Sequence, residues 1–259
     1  MKIFILGYGE IGRAVKGLYS CYKDVYNIYY KDVNKDVYDI KGSIYLKDVK
    51  AVNSCDILHV CIPYSNSFIE AVKDVAIAIN PELIMIHSTL PVMTTRILQD
   101  NLDFKIVHTP VMGKHPNLTD SIETFDKIVA SYSDEANELA CQHLADLGVE
   151  TVIYNNPEES EMAKLLDTTY YGWNILYMKE VKKLCDEYNL DFDNVYTQTN
   201  EIYNSGYECM GDFNVIRPVL QFVPGKIGGH CVRPNFELLK DIFKPAKIGI
   251  EMDDENDSV

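Results

Sequence analysis

The sequence is short of positive charge. Lys and Arg number 24 against 39 Asp and Glu, a formal net charge of −15, and no run of basic residues breaks the deficit. A phosphate backbone must be met by clustered cations, so nucleic acid is excluded as a partner, and an anionic substrate needs cations placed one at a time. Long apolar runs are missing too. Nothing approaches the roughly 20 residues of a membrane-spanning helix, and glycines interrupt the opening MKIFILGYGE too early for a signal peptide. These absences predict a cytoplasmic protein with no membrane partner. The cysteines, at 21, 55, 61, 141, 185, 209 and 231, include no CxxC pair, and the histidines, at 59, 87, 108, 115, 143 and 230, show no metal-ligand spacing. An odd, scattered set of thiols fits reduced cysteine better than a disulfide framework or a zinc site, so no metal is expected. Cys61, inside ILHVCIP, reads as core packing.

What is present is apolar and alternating. With 47% hydrophobic residues over 259 positions, the chain can bury the core of one large α/β domain and a smaller helical one. KIFIL, NIYYKD, DILHVCIP, LIMIHST, FKIVHTP, KIVAS and VETVIYN read as strands, several apolar nearly throughout, as strands covered on both faces are. SNSFIEAVKDVAIAIN and SDEANELACQHLADLG carry helical spacing between them, and this alternation predicts a doubly wound parallel sheet over residues 1–155. Beyond it, Asn156, Pro157 and Glu159 have the order of an N-cap, first helical residue and capping-box partner. A long helix is expected to follow, with Asn189 supplying the left-handed residue that ends it. Residues 156–248 are read as a helical domain for dimerisation and catalysis, and the acidic residues 249–259 as a disordered tail.

The turn GYGEIG follows a strand at once and opens a helix. Gly7 permits the tight turn, Gly9 lets a pyrophosphate approach the backbone at the helix start beside Glu10 and Ile11, and Gly12 lets helix and strand pack closely. Asp32 ends the next strand, 20 residues beyond Gly12, where a carboxylate accepts from ribose hydroxyls and repels a 2′-phosphate. The reading is a Rossmann-like domain that takes NAD in preference to NADP. Asp36 and Asp39 are alternatives for the acidic role.

Four segments, in order, resemble the UDP-glucose/GDP-mannose dehydrogenase family: GYGEIG, HSTLPVMTT, SEMAKLLDTTYYGWNILYMKE and PGKIGGHC. The resemblance implies NAD-dependent oxidation of the primary alcohol of a sugar or nucleotide sugar, by a homodimer built on the long helix. It implies cofactor contacts at Ser88 and Thr89, and substrate contacts at Lys164, Gly228, Gly229 and His230. Catalytic roles fall to Cys231, Lys164 and Thr89, with Thr168 and Asn235 where the family has an asparagine and an aspartate, and Val111 where it has a glutamate. The chain also ends shortly after the cysteine motif, so the family's C-terminal nucleotide-binding domain is expected to be missing.

The residues themselves leave several roles open. Cys231 is a nucleophile, framed by glycines with His230, Lys226 and Arg233 nearby to favour thiolate, or it is a buried thiol in a turn. Lys164 stabilises a developing oxyanion, removes the hydroxyl proton, or is a solvated surface lysine. Thr89 holds a water or the substrate hydroxyl, or satisfies its own turn. His230 orients Cys231 or contacts nucleotide. The alternatives to a four-electron dehydrogenase are a two-electron alcohol dehydrogenase or aldehyde reductase without a covalent step, and a catalytically degenerate NAD-binding protein.

Overall fold

The computed structural model describes residues 1–22, 26–32, 44–45, 49, 54–113, 116–229 and 231–258. Asp36, Asp39 and His230 lie outside them. The chain forms two compact units, Met1–Lys164 and Leu165–Val259.

The first unit is the doubly wound sheet. Its strands are β1 (Lys2–Leu6), β2 (Asn27–Lys31), β3 (Ile44–Tyr45), β4 (Ile57–Val60), β5 (Leu83–Ile86) and β6 (Lys105–His108), joined in the order β3-β2-β1-β4-β5-β6 with every pairing parallel. The direction reverses between β1 and β4, the switch point at which such sheets bind ligands at their carboxyl ends. Both faces are covered. Ile3, Ile5, Met85 and Val107 pack into one core cluster, and Phe4, Leu58, Ile84 and Ile106 into the other, so β4 and β5 are buried at every position and apolar at all but His59. Helices α1 (Glu10–Leu18), α2 (Phe68–Ile79), α3 (Thr94–Asn101), α4 (Leu118–Thr124) and α5 (Asp134–Asp146) supply the cover. KIVAS and VETVIYN form β7 (Lys127–Val129) and β8 (Thr151–Ile153), a separate parallel pair. The two-residue strand β3 has no signal in the sequence pattern.

Helix α6 (Pro157–Glu187) is the expected long helix. Asn156 caps it by accepting from Glu159 N at 3.0 Å, while the Glu159 carboxylate reaches Asn155 N at 3.2 Å, one residue earlier than a standard capping box. Asn189, at φ +52°, ends it as expected. The two compact units divide inside this helix, nine residues beyond the expected boundary at 155, because its first turns are held by the sheet unit: Ser160 Oγ lies 2.7 Å from His108 Nδ1, and Glu161 bonds Thr95. The second unit continues with α7 (Thr199–Met210), α8 (Val232–Leu239) and α9 (Lys244–Asp254). Here the structure corrects the reading of an acidic tail. Residues 249–254 are helical, because Asp253 is buried at 1% exposure and accepts from Ile227 N at 2.7 Å and Arg233 at 3.1 Å. Among the described residues no helix is long and apolar enough to cross a membrane.

Four histidines, His59, His87, His108 and His143, are buried in the first unit. Burial lowers all four from the ordinary imidazole range, His108 and His143 to about 4. The unfolded chain therefore binds protons first as pH falls, so the stability these neutral rings contribute is complete above the unfolded value and is lost as pH falls toward the folded ones. Each such group withdraws about 1.4 kcal/mol per pH unit within its window. A fall in the urea midpoint between about pH 7.5 and about pH 5 is expected; an unchanged midpoint would show that the rings are not buried as neutral imidazoles.

Candidate functional site

The glycine turn between β1 and α1 has three different environments for its three glycines. Gly7 has φ +90°, and a Cβ there would meet Ile62 at 2.8 Å and the Cys61 backbone at 2.9 Å. At Gly12 a Cβ would stand 2.0 Å from the Gly7 carbonyl oxygen, so the helix closes on the turn only without a side chain. At Gly9 it would meet nothing within 4 Å. The folded protein thus requires two of the glycines, whereas the third leaves open space at the N-terminus of α1, whose cap makes no side-chain bond. Asp32 accepts from Tyr8 N at 2.5 Å, which fixes its carboxylate at the mouth of the same turn.

The turn after β5 lies at the carboxyl edge of the sheet. The Ser88 hydroxyl is buried and donates to Ile62 O at 2.6 Å, so it serves the fold. Thr89 beside it is half-buried, and the hydroxyl that closes the turn belongs to Thr94, which donates to Pro91 O at 2.7 Å. Glu161 of α6 is fully buried and receives Met93 N, Thr95 N and Thr95 Oγ1, each at 2.7 Å, capping α3 from a distance. Burial pushes its carboxyl above the usual range, opposed by these donors. One turn further along α6 than Ser160, Lys164 is half-buried. Its charge acts on His108 and on Lys127, so the three groups share this edge. His108 donates through Nε2 to Ser88 O at 3.1 Å, which leaves Nδ1 to accept from Ser160. Lys127, 4% exposed, donates to Thr109 O at 2.9 Å and Pro110 O at 3.0 Å, and burial brings its ammonium down to about 7. Val111 is buried as well.

In the second unit the cysteine loop is held by three ties. Lys179 of α6 donates to Val223 O at 2.5 Å and Gly225 O at 2.6 Å, Asp253 of α9 receives Ile227 N, and Lys226 pairs with Asp254 at 3.3 Å. Between these ties and α8, Gly228 and Gly229 have open space at their Cβ positions, and Gly229 has φ +87°. Cys231 is exposed and caps α8, so the reading of a buried thiol fails. The cations expected to favour its thiolate are committed elsewhere: Arg233 pairs with Asp253 and Asp254, and Lys226 with Asp254. Helix α8 is anchored by Phe236, which packs where Cβ atoms on Gly172 and Gly249 would stand at 2.7 Å and 2.9 Å from its ring. Asn235, one turn past Cys231, is buried at 5% exposure, and Thr168 of α6 is buried too.

No family model matches the chain. UDP-N-acetyl-D-mannosamine dehydrogenase of Methanocaldococcus jannaschii is 23% identical over 260 aligned positions, covering 92% of this chain and 57% of that protein. The solved structure of UDP-D-ManNAc dehydrogenase from Pyrococcus horikoshii superposes on 98% of this chain with a TM-score of 0.79 and 19% identity, over 68% of its own chain. The chain is similar to these UDP-sugar dehydrogenases in sequence and in fold. It spans just over half the length of the relative from M. jannaschii. The Mycobacterium tuberculosis 3-hydroxyisobutyrate dehydrogenase shares the fold of this chain, at a TM-score of 0.71 and 13% identity over 98% of this chain and 92% of its own.

Glu161, Lys127, Lys179 and Asp253 escaped the sequence reading. A faint signal existed for two of them, since Glu161 and Lys179 fall on the inner stripe of α6 with Leu165, Gly172 and Leu176. The glycine turn yields a direct test. Gly12→Ala, forced against a backbone oxygen, is expected to cost about 1–3 kcal/mol in urea unfolding, and Gly9→Ala less than about 0.5 kcal/mol. Equal losses at the two positions would mean that the turn packs otherwise.

Proposed function

We propose that this chain belongs to an NAD-dependent dehydrogenase that oxidises the primary alcohol of a sugar or nucleotide sugar, working in the cytoplasm. The observation that carries the reading is the open space at Gly9 beside closed packing at Gly7 and Gly12, with Asp32 held at the same mouth. A bare backbone at a helix N-terminus fits a pyrophosphate, and a carboxylate at this place fits ribose hydroxyls. Gly7, Gly9, Glu10, Ile11, Gly12 and Asp32 would hold the dinucleotide, with Thr89 at the neighbouring turn and Ser88 positioning it. Bound NAD supplies a hydride acceptor.

The protein's own groups would do the rest. Lys164 takes the hydroxyl proton or stabilises the oxyanion, with Thr168 one turn on along α6. Cys231 adds its sulfur to the aldehyde carbon to form a thiohemiacetal and, after loss of a second hydride to a second NAD, carries the acyl group as a thioester that water cleaves, while Gly228 and Gly229 leave the loop backbone accessible to substrate, with His230 next to them in sequence. The residues at the positions of the family's carboxylates, Val111 and Asn235, are buried and cannot act as bases. General-base assistance is worth about a hundredfold to ten-thousandfold, so release of the acid is the slow step. The same two residues favour a second reading, a two-electron dehydrogenase in which Lys164 works without Cys231. A homodimer built on α6 is part of the proposal: Tyr170, Tyr177 and Leu184 stand 54–66% exposed along it and Tyr188 just past its end is 65% exposed, an apolar face that a second copy would cover.

A panel of UDP sugars and simple sugars, scored by NADH formation, tests the reading. Binding of NAD tighter than NADP, loss of that binding in Gly9→Ala, and a burst of NADH followed by slow turnover are expected, with a mass adduct on Cys231. Tighter NADP binding would reject the role of Asp32. Linear NADH formation that survives Cys231→Ala would replace the covalent scheme with the two-electron one.

A further inference from the structure

The turn that follows β5 is gripped at both ends by two consecutive residues of α6. At the near end the Ser88 carbonyl, in the peptide that leads to Thr89, accepts from His108 Nε2 at 3.1 Å, and His108 Nδ1 accepts from the Ser160 hydroxyl at 2.7 Å. Both side chains of this bridge are fully buried. At the far end Glu161 takes Met93 N on one carboxylate oxygen and Thr95 N and Thr95 Oγ1 on the other, each at 2.7 Å. Glu161, too, has no exposed surface.

Two features make this more than the docking of one helix on another. Met93 stands at φ +79°, in the left-handed region that a residue other than glycine enters at a cost. Such a conformation persists only where its surroundings fix it, and the fixed point here is the bond from Met93 N to a buried carboxylate. The second feature is the place of Lys164. It follows Ser160 by four residues and Glu161 by three, so it neighbours both on the helix surface. The turn that carries Thr89 and the helix turn that carries Lys164 therefore share one frame. Another tie between α3 and α6 differs in kind: Arg96 meets Glu158 at 3.1 Å with its side chain 45% exposed, a surface pair of the sort that contributes little.

We propose that Glu161 and the Ser160–His108 bridge are positioning groups, which lock the turn after β5 to the start of α6 and so hold Thr89 and Lys164 in one register for the step in which the substrate hydroxyl loses its proton. This role rests on the dehydrogenase reading above. Buried as they are, the three side chains touch no substrate, and each acts through the backbone it holds. His108 holds the peptide before Thr89, Ser160 the helix turn before Lys164, and Glu161 the left-handed residue that starts α3. A displacement of about 1 Å at reacting groups costs about a hundredfold in rate, so a lock of this kind bears on turnover more than on affinity.

Ser160→Ala and Glu161→Gln each remove part of the lock with little change of volume. With the UDP sugar or simple sugar that gives NADH in the wild type, each is expected to lower kcat about tenfold or more and to leave KM and NAD affinity within about twofold. Arg96→Ala, which cuts the surface tie alone, should leave kcat within about twofold. In a double-mutant cycle the loss caused by Ser160→Ala should vanish once Lys164→Ala is present, because no lysine is left to place. Thr89→Ala replaces Lys164→Ala should the latter turn over too slowly to measure. Without substrate, amide hydrogen exchange reads the lock itself: Met93 and Thr95 N–H are slow in the wild type and speed up about tenfold or more in Glu161→Gln. Exchange that does not change overturns the lock. Wild-type kcat in both variants, an equal loss in Arg96→Ala, or the same factor for Ser160→Ala with and without Lys164 overturns the positioning role alone. A wild type inert toward every sugar fails the dehydrogenase reading and takes this role with it. Should Glu161→Gln fail to fold, Ser160→Ala and the exchange of Met93 and Thr95 in the wild type decide the matter.

Discussion

Burial of both faces of a parallel sheet is the constraint on which the rest of the first unit depends. Side chains on β4 and β5 have no water to turn to, so each polar one must find a partner inside or stay uncharged. This accounts for three otherwise unrelated features: His59 and His87 in a chain with Tyr19 and His143, the clamp of Lys127 on two carbonyl oxygens, and the bond of Ser88 to Ile62. The glycine turn and the α3 turn follow the carboxyl ends of β1 and β5, and the first turns of α6 bond to residues at that edge, the place where sheets of this topology take ligands.

The second unit obeys a different constraint. Its described residues form no strand, and polar ties hold the loop that leads to Cys231. Charged side chains do so in place of apolar ones: Lys179 from α6, and Asp253 and Asp254 from α9. Partly buried charges that are paired in this way define geometry more than they add stability. The arrangement leaves Cys231 exposed at the start of α8, while the nearby cations are held by carboxylates. A nucleophilic role for this cysteine therefore rests on its exposure and its glycine frame, and not on neighbouring positive charge.

Much of this was legible in the sequence because the signals are local. Alternation of apolar runs placed the strands, helical spacing and Asn156 placed α6, and the spacing of Gly7, Gly9 and Gly12 placed the turn at the sheet's switch point. Each depends on residues within a turn or two of one another, where the rise per residue and backbone sterics leave few choices. The two-residue strand β3 had too little length to show a period, and the acidic end was misread because charge density was taken as a proxy for exposure.

What only the tertiary structure decided are the long-range polar pairings. Glu161 meets Thr95 from 66 positions away, Lys179 meets Val223 from 44, and Asp253 meets Ile227 from 26. Nothing in the local sequence marks these residues, since a buried lysine or aspartate is written with the same letter as a solvated one. Its fate depends on whether folding brings a partner within hydrogen-bonding distance before water is lost. That is a property of the packed chain, and it separates Ser88, which serves the fold, from Cys231, which faces solvent.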